Sequence, residues 1–175
     1  MTAPLEGTPA ALIFERHHLA VYRFLRRATG DGAVAEDLTQ DVFLRIVRNL
    51  DRYEERLQER AWVFRIARNV LLDRHRRVQR VRPDLSLEVV PLVAVDAGQE
   101  VAVALQEALG GLREEEREAF LLREVAGLGY EEIGGLVDAT PDAVRMRIYR
   151  ARAALRAWLG RSAEPAAGGR RETVR

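Results

Sequence analysis

Apolar residues recur at helical spacing through two long blocks of the chain, and a short irregular stretch separates them. The first block runs from about residue 10 to residue 80. Its opening helix carries Ile13, Phe14, Val21, Phe24 and Leu25, and then breaks at Thr29-Gly30-Asp31-Gly32, a strong turn signal. A second helix, Ala35 to Leu50, sets Leu38, Val42, Ile46, Val47 and Leu50 on one face. Asp51 to Glu59 is polar and reads as a loop with some helical character. A third helix follows from Arg60 to about Arg80, with Val63, Phe64, Ile66, Ala67, Val70 and Leu71 as its core face.

Residues 81–99 change character. Pro83 and Pro91 interrupt any helix, and Val89, Val90, Leu92, Val93 and Val95 show no clear period, which predicts a linker with an extended stretch, or alternatively a short strand. The second helical block, 100–159, holds a helix up to Leu109, another from Arg113 to Val125, and a final helical pair. The tail, 160–175, is small and polar and contains Gly and Pro, and is expected to be disordered. The predicted fold is all-α: two small helical domains joined by a flexible linker.

The final pair is the most informative segment. Gly129 to Arg156 reads as a short helix, a tight turn and a long arginine-studded helix, the layout of a helix-turn-helix whose second helix enters the DNA major groove. Thr140 suits an N-cap and Pro141 the first helical position. Val144, Ile148, Ala151 and Leu155 form the buried stripe, so Arg145, Met146, Tyr149 and Arg150 fall on other faces, where they can reach base edges and phosphates. Arg147, Arg152 and Arg156 add charge along the helix. The bland alternative is a solvated amphipathic helix.

Charge sharpens the picture. The whole chain carries only +1, yet Pro141 to Arg161 holds six arginines against Asp142, a net of +5, and such concentration is the footprint of phosphate binding. All 28 basic residues are arginine, a usage that reflects a GC-rich genome as much as selection for phosphate forks. Cysteine is absent, which excludes disulfides, zinc knuckles and thiol chemistry. No apolar run approaches the roughly 20 residues of a membrane span, and the N-terminus has no secretory pattern, so a cytoplasmic protein without membrane insertion is expected.

A second basic surface lies on the helix from Arg60 to Arg80. At about 100° per residue, Trp62, Arg65, Asn69, Asp73 and Arg76 share one stripe. A ring, an amide and guanidiniums together suit single-stranded nucleic acid; a surface helix with a half-buried Trp is the simpler alternative. On the second helix, Glu36, Asp37, Gln40 and Asp41 cluster in the first turns. They complement the helix dipole or form a protein-docking face, and composition does not choose.

Three segments in register then resemble one family. AEDLTQDVFLR (Ala35 to Arg45), RAWVFRIARNVLLDRHRR (Arg60 to Arg77), and AFLLREVAGLGYEEIG with AVRMRIYRARAALR (Ala119 to Arg156) are similar to the extracytoplasmic-function (ECF) sigma factors, compact bacterial initiation factors of two domains. The resemblance implies a region-two domain over 10–80 that docks on the clamp helices of RNA polymerase core and melts the minus-ten element. It implies a region-four domain over 100–159 that binds the minus-thirty-five element and the polymerase flap.

By that resemblance Asp37, Leu38, Gln40, Asp41 and Phe43 are polymerase-docking positions. Trp62, Arg65, Asn69 and Arg76 match positions near the melted minus-ten strand, with Asn69 helping to hold a flipped base. Arg145, Met146, Arg147, Tyr149 and Arg150 belong to the helix that meets minus-thirty-five DNA. Promoter DNA, polymerase core and an anti-sigma factor are the implied partners; no cofactor, metal or catalytic residue is implied.

The chain departs from the family pattern at several places. Gly134 and Gly135 replace a helix-favouring pair, at roughly 1 kcal/mol per Gly relative to Ala. Asp138 stands where the turn normally has Gly. Asp142 replaces a small residue, where it caps the helix or accepts from a cytosine amino group, and Met146 replaces a small polar one.

Three rivals are weaker. A response regulator or repressor would need a receiver or ligand pocket, and no alternating strand-helix pattern is present. A di-iron bundle could start from Glu15 and His18, but a second E-x-x-H is missing because Leu72 precedes His75 by three residues. His17 and His18 are therefore expected to be ordinary surface residues, and Glu114 to Glu116 a solvated charge run. A partner protein that only mimics a sigma factor would fail to support transcription.

Overall fold

The computed structural model describes residues 8–53, 58–81 and 97–162. All the regular structure there is helical: α1 (Pro9–Thr29), α2 (Gly32–Asn49), a 3-10 turn (Leu50–Arg52), α3 (Glu59–Val81), α4 (Ala97–Gly110), α5 (Glu114–Glu124), α6 (Tyr130–Val137) and α7 (Pro141–Ser162). The all-α expectation holds, with shifts at the ends. Residues 97–99, assigned to the linker, already belong to α4, and α7 continues past 159 into the tail. The alternative short strand at 89–95 lies outside the described residues.

The front half is a three-helix unit. Thr8 Oγ1 accepts from the Ala11 N–H at 3.3 Å and caps α1, with Pro9 just inside. Gly30 then takes φ 73°, a left-handed residue that ends α1, and Asp31 Oδ1 accepts from the Val34 N–H at 3.1 Å to start α2. One short segment thus stops one helix and caps the next. The core between α1, α2 and α3 comprises Ile13, Val21, Phe24 and Leu25, then Ala35, Leu38, Val42 and Ile46, then Val63, Phe64, Ala67 and Val70. Phe24 and Phe64 meet edge-to-face at 5.6 Å between ring centres.

Two apolar positions read as core are not core. Phe14 and Val47 are exposed, because Phe14 sits one residue beyond Ile13 on α1 and Val47 one beyond Ile46 on α2, each about 100° further round than its buried neighbour. The expectation that His17 is a surface residue is also overturned. It is buried, with Nε2 2.7 Å from Glu59 Oε1, and Arg16 Nη2 donates to the other oxygen of Glu59 at 2.6 Å. That pair ties α1 to the first turn of α3. His18 is exposed as expected and stacks on Phe14.

The rear half packs α5 against α7, α6 against α5 and α7, and α4 against α7. Leu109, Leu121, Leu122, Leu128, Ile133, Val144, Ile148 and Ala151 fill its core. The two halves also touch. Arg68 of α3 donates through Nε and Nη2 to the two oxygens of Glu118 of α5 at 2.8 and 3.3 Å. Arg60 Nη1 reaches the Ala126 carbonyl at 3.3 Å, and the buried Gln106 of α4 donates to the Arg27 carbonyl at 2.9 Å.

Candidate nucleic-acid interface

The rear site is built on α6, a turn and α7. Glu132 reaches back to accept from the Gly129 N–H at 2.6 Å and fixes the start of α6. Asp138 ends that helix at φ 51° and ψ 56°, the one non-glycine residue with positive φ among the described residues. Thr140 Oγ1 then accepts from the Ala143 N–H at 3.2 Å, so α7 starts where its sequence says it should. The stripe Val144, Ile148, Ala151 and Leu155 is buried, which turns the opposite face outward.

Arg145, Met146, Tyr149 and Arg150 are all exposed on that face. Met146 is 47 % and Tyr149 61 % exposed, so both present apolar surface beside the two guanidiniums. Arg147 sits differently: it is turned back onto α5, where Nη2 pairs with Glu115 Oε2 at 3.0 Å. Arg152 pairs with Glu124, also on α5. Glu114 and Glu115 are 60 % and 72 % exposed, as a solvated run should be, and each also faces a basic side chain: Glu115 pairs with Arg147 of α7, and Glu114 Oε1 lies 3.6 Å from His75 Nδ1 of α3.

Arg117, between these glutamates, is buried among the rear-half helices. Burial pulls its guanidinium below the usual arginine value, and the neighbouring Glu114 and Glu118 carboxylates oppose that fall.

The front surface lies on α3. Arg65, Asn69 and Arg76 are exposed and follow one another along one side of the helix. Trp62 does not join them. The expected exposed stacking ring is buried, 9 % exposed, and packs on Tyr53 with ring centres 4.9 Å apart. Its place in the first turn of α3 brings it against Tyr53, the residue that follows the 3-10 turn. Asp73 sits in the same stripe and binds Arg45 of α2, Nη1 to Oδ2 at 2.9 Å, with Arg76 Nη1 3.7 Å from its other oxygen.

On α2, Asp37, Gln40 and Asp41 are exposed, Phe43 is half-buried and Leu38 is buried in the core. Asp37 and Asp41 line one side of a cleft between α2 and α3, and Asp73 and Arg74 line the other. Phe43 meets the exposed Phe14 edge-on at 4.8 Å. Leu38, 6 % exposed, lies beneath the acidic face and lines the same cleft.

Comparison with known proteins bears on both halves. Residues 13–81 match Sigma-70 region 2 and residues 102–155 match Sigma-70 region 4. The chain is 37 % identical to the RNA polymerase sigma factor CarQ of Myxococcus xanthus over 152 residues, covering 85 % of this chain and 87 % of that protein. It is 36 % identical to the ECF RNA polymerase sigma factor SigE of Mycolicibacterium smegmatis, covering 85 % of this chain and 61 % of the longer relative. The chain is an ECF sigma factor.

Solved structures agree with that assignment. CnrH, in complex with the cytosolic domain of CnrY, aligns at a TM-score of 0.70 and 26 % identity over 88 % of this chain and 89 % of that one. The sigma factor RpoE of Bartonella quintana, in complex with the anti-sigma factor NepR, shares the fold at a TM-score of 0.76 and 24 % identity, over 86 % of this chain and 96 % of that one. As an ECF sigma factor the chain serves promoter-specific transcription initiation and belongs to a class of non-enzymatic regulators. No helix among the described residues is long and apolar enough to cross a membrane.

The sequence of this sigma factor does not disclose the partners of three residues that shape the site. Asp73 and Glu115 each engage an arginine of a neighbouring helix, and Tyr130 lies under two guanidiniums, Arg123 at 4.8 Å and Arg145 at 5.2 Å from its ring centre. Charge complementarity signals Asp73 and Glu115 only once helix packing is known. Tyr130 follows directly on the Gly129 N-cap, and its position at a helix start was the one available hint.

Proposed function

We propose that this sigma factor works as two readers on one chain, with region two over about 10–80 and region four over about 100–159. The exposed row Arg145, Met146, Tyr149 and Arg150 on a capped recognition helix carries the proposal. It has the size and charge to enter a major groove, with guanidiniums matched to guanine edges and phosphates. We assign it to the minus-thirty-five element.

Arg65, Asn69 and Arg76 on α3 are assigned to the minus-ten element. Opening a duplex costs stacking energy, which capture of an unstacked base offsets by about 1–3 kcal/mol per base stacked. Trp62 acts there from beneath, holding the start of α3 against Tyr53. The acidic face of α2, with Asp37, Gln40 and Asp41 above Leu38 and beside Phe43, is assigned to polymerase core at its clamp helices. Region four would also meet the flap. Two weak DNA sites gain from effective concentration once polymerase sets their spacing, so the free chain binds promoter DNA poorly.

An anti-sigma factor is the expected regulator, because the similar CnrH and RpoE chains were each solved with a partner bound, NepR in the second case being an anti-sigma factor. The site of action is the cytoplasm. The deciding experiment reconstitutes the chain with bacterial core polymerase on genomic DNA fragments and sequences the transcripts. New start sites sharing a pair of upstream motifs are expected. Nanomolar, sequence-specific binding by the free chain, or no new start sites in the absence of any anti-sigma factor, would overturn the proposal.

A further inference from the structure

Asp142 and Arg145 form an ion pair one turn apart at the start of α7, with Arg145 Nη1 donating to Asp142 Oδ1 at 2.6 Å. Both side chains are largely exposed, 86 % and 60 %. A surface pair of this kind contributes little to stability. A carboxylate on the face of a helix that meets DNA also repels phosphates. Its place in the first turn of α7 complements the helix dipole, and its contact with Arg145 asks for a second reason.

The ring of Tyr130 supplies one. Arg145 Cζ lies 5.2 Å from the ring centre, so the guanidinium is held from a second side by a cation–π contact. Tyr130 is itself fixed. It is the first residue of α6, next to the Gly129 N–H that Glu132 holds, and Arg123 lies over the same ring at 4.8 Å while donating to the Leu128 carbonyl at 2.8 Å. Arg145 therefore has a carboxylate at one nitrogen and an aromatic ring beside it, both on anchored elements.

We propose that Asp142 and Tyr130 are positioning residues that hold the Arg145 guanidinium as a preset reader of one guanine in the upstream promoter element. A guanidinium has five N–H donors, and one is spent on Asp142. Those that remain can present a two-pronged edge to O6 and N7 of guanine, the commonest specific arginine contact in the major groove. Arginine loses much side-chain freedom on binding; restraining it beforehand reduces that loss and disfavours other bases that would need a different pose. Asp142 is then a buttress and not a reader of cytosine. This inference rests on the assignment of α7 to upstream duplex DNA.

The two ideas separate in one experiment. Holoenzyme made with the full chain transcribes a promoter library randomised in the upstream element, and the transcripts are sequenced to give base preference at each position. Arg145→Ala is expected to erase a guanine preference at one position. Asp142→Asn and Tyr130→Leu are expected to lower that same preference by about tenfold while leaving other positions unchanged. Tyr130→Phe, which keeps the ring, restores most of what Tyr130→Leu loses.

Asp142→Asn is further expected to raise affinity for unrelated duplex DNA, because a phosphate-repelling charge is gone. Gain of non-specific binding with loss of discrimination is a pair of effects that a purely structural role would not produce. Wild-type guanine preference in Asp142→Asn and Tyr130→Leu, with loss in Arg145→Ala, overturns the buttress and leaves α7 as the reader. An unchanged preference in Arg145→Ala overturns both.

Discussion

Arg68 and Glu118, fifty residues apart, face each other in a two-pronged ion pair that joins region two to region four. Both side chains are mostly shielded, at 21 % exposure each. Parallel N–H···O bonds of this geometry exceed an ordinary surface pair. Charge reversal at either position alone is expected to weaken the contact between the halves, and the double swap Arg68→Glu with Glu118→Arg to restore it. A double-mutant cycle read by hydrogen exchange along α3 and α5 should give a coupling of about 1 kcal/mol; no coupling would show that the halves do not use this pair in solution.

Gly134 and Gly135 look equivalent in sequence and are not equivalent in space. A Cβ on Gly134 would lie 2.5 Å from the Ala139 carbonyl oxygen, whereas a Cβ on Gly135 meets nothing within 4 Å. Gly135→Ala should therefore stabilise region four by about 1 kcal/mol through helix propensity. Gly134→Ala should destabilise it by displacing the turn that aims α7. Thermal melting of the two variants is expected to move in opposite directions, and a shared direction would count against this account of the turn.

Asp138 holds a left-handed conformation that glycine adopts without a Cβ penalty. Asp138→Gly should stabilise the turn by roughly 0.5–1 kcal/mol, with the promoter preference unchanged. Equilibrium denaturation checks the first half and the library assay the second.

Trp62→Ala is expected to cost about 3–5 kcal/mol of stability, since a large ring leaves the packed contact with Tyr53. Loss of transcription in that variant would come with a lowered melting temperature. Asn69→Ala, on an exposed residue, should reduce open-complex formation at an unchanged melting temperature. If Trp62→Ala melts like the parent protein, its burial is not what holds the start of α3.

Asp41→Arg should abolish association with polymerase core while leaving the fold intact, because Asp41 is exposed beside the α2–α3 cleft. Leu38→Ala should instead destabilise region two by about 2–4 kcal/mol, as a core residue does. Pull-down of core polymerase alongside a melting curve separates the two.

Much of this architecture is written in local pattern. The Thr29-Gly30-Asp31-Gly32 break works because one residue can be left-handed and the next can cap, and Thr140-Pro141 starts α7 by the same local chemistry. Periodicity also places most of the core. It fails where the partner is remote: His17 is buried because Glu59, 42 residues on, meets its ring, and Trp62 because Tyr53 covers it. It fails at Val47 because a helix face read from spacing is wider than the stripe that packing uses. The exposed rows on α3 and α7 were legible as complements of those core stripes. The carboxylates that engage their arginines were not, since Asp73, Glu115 and Glu124 acquire meaning only from neighbouring helices.

The glutamates of α5 have an effect beyond architecture. By holding Arg147 and Arg152, they leave the recognition helix with fewer unengaged cations than its arginine content suggests. Each phosphate neutralised adds about −0.9 to the slope of log affinity against log salt, so α7, in the role proposed above, is expected to show a shallower salt dependence than its arginine count implies. Weak retention on bulk chromosome is the consequence expected of the proposed DNA-facing role, and the salt slope of non-specific duplex binding measures it.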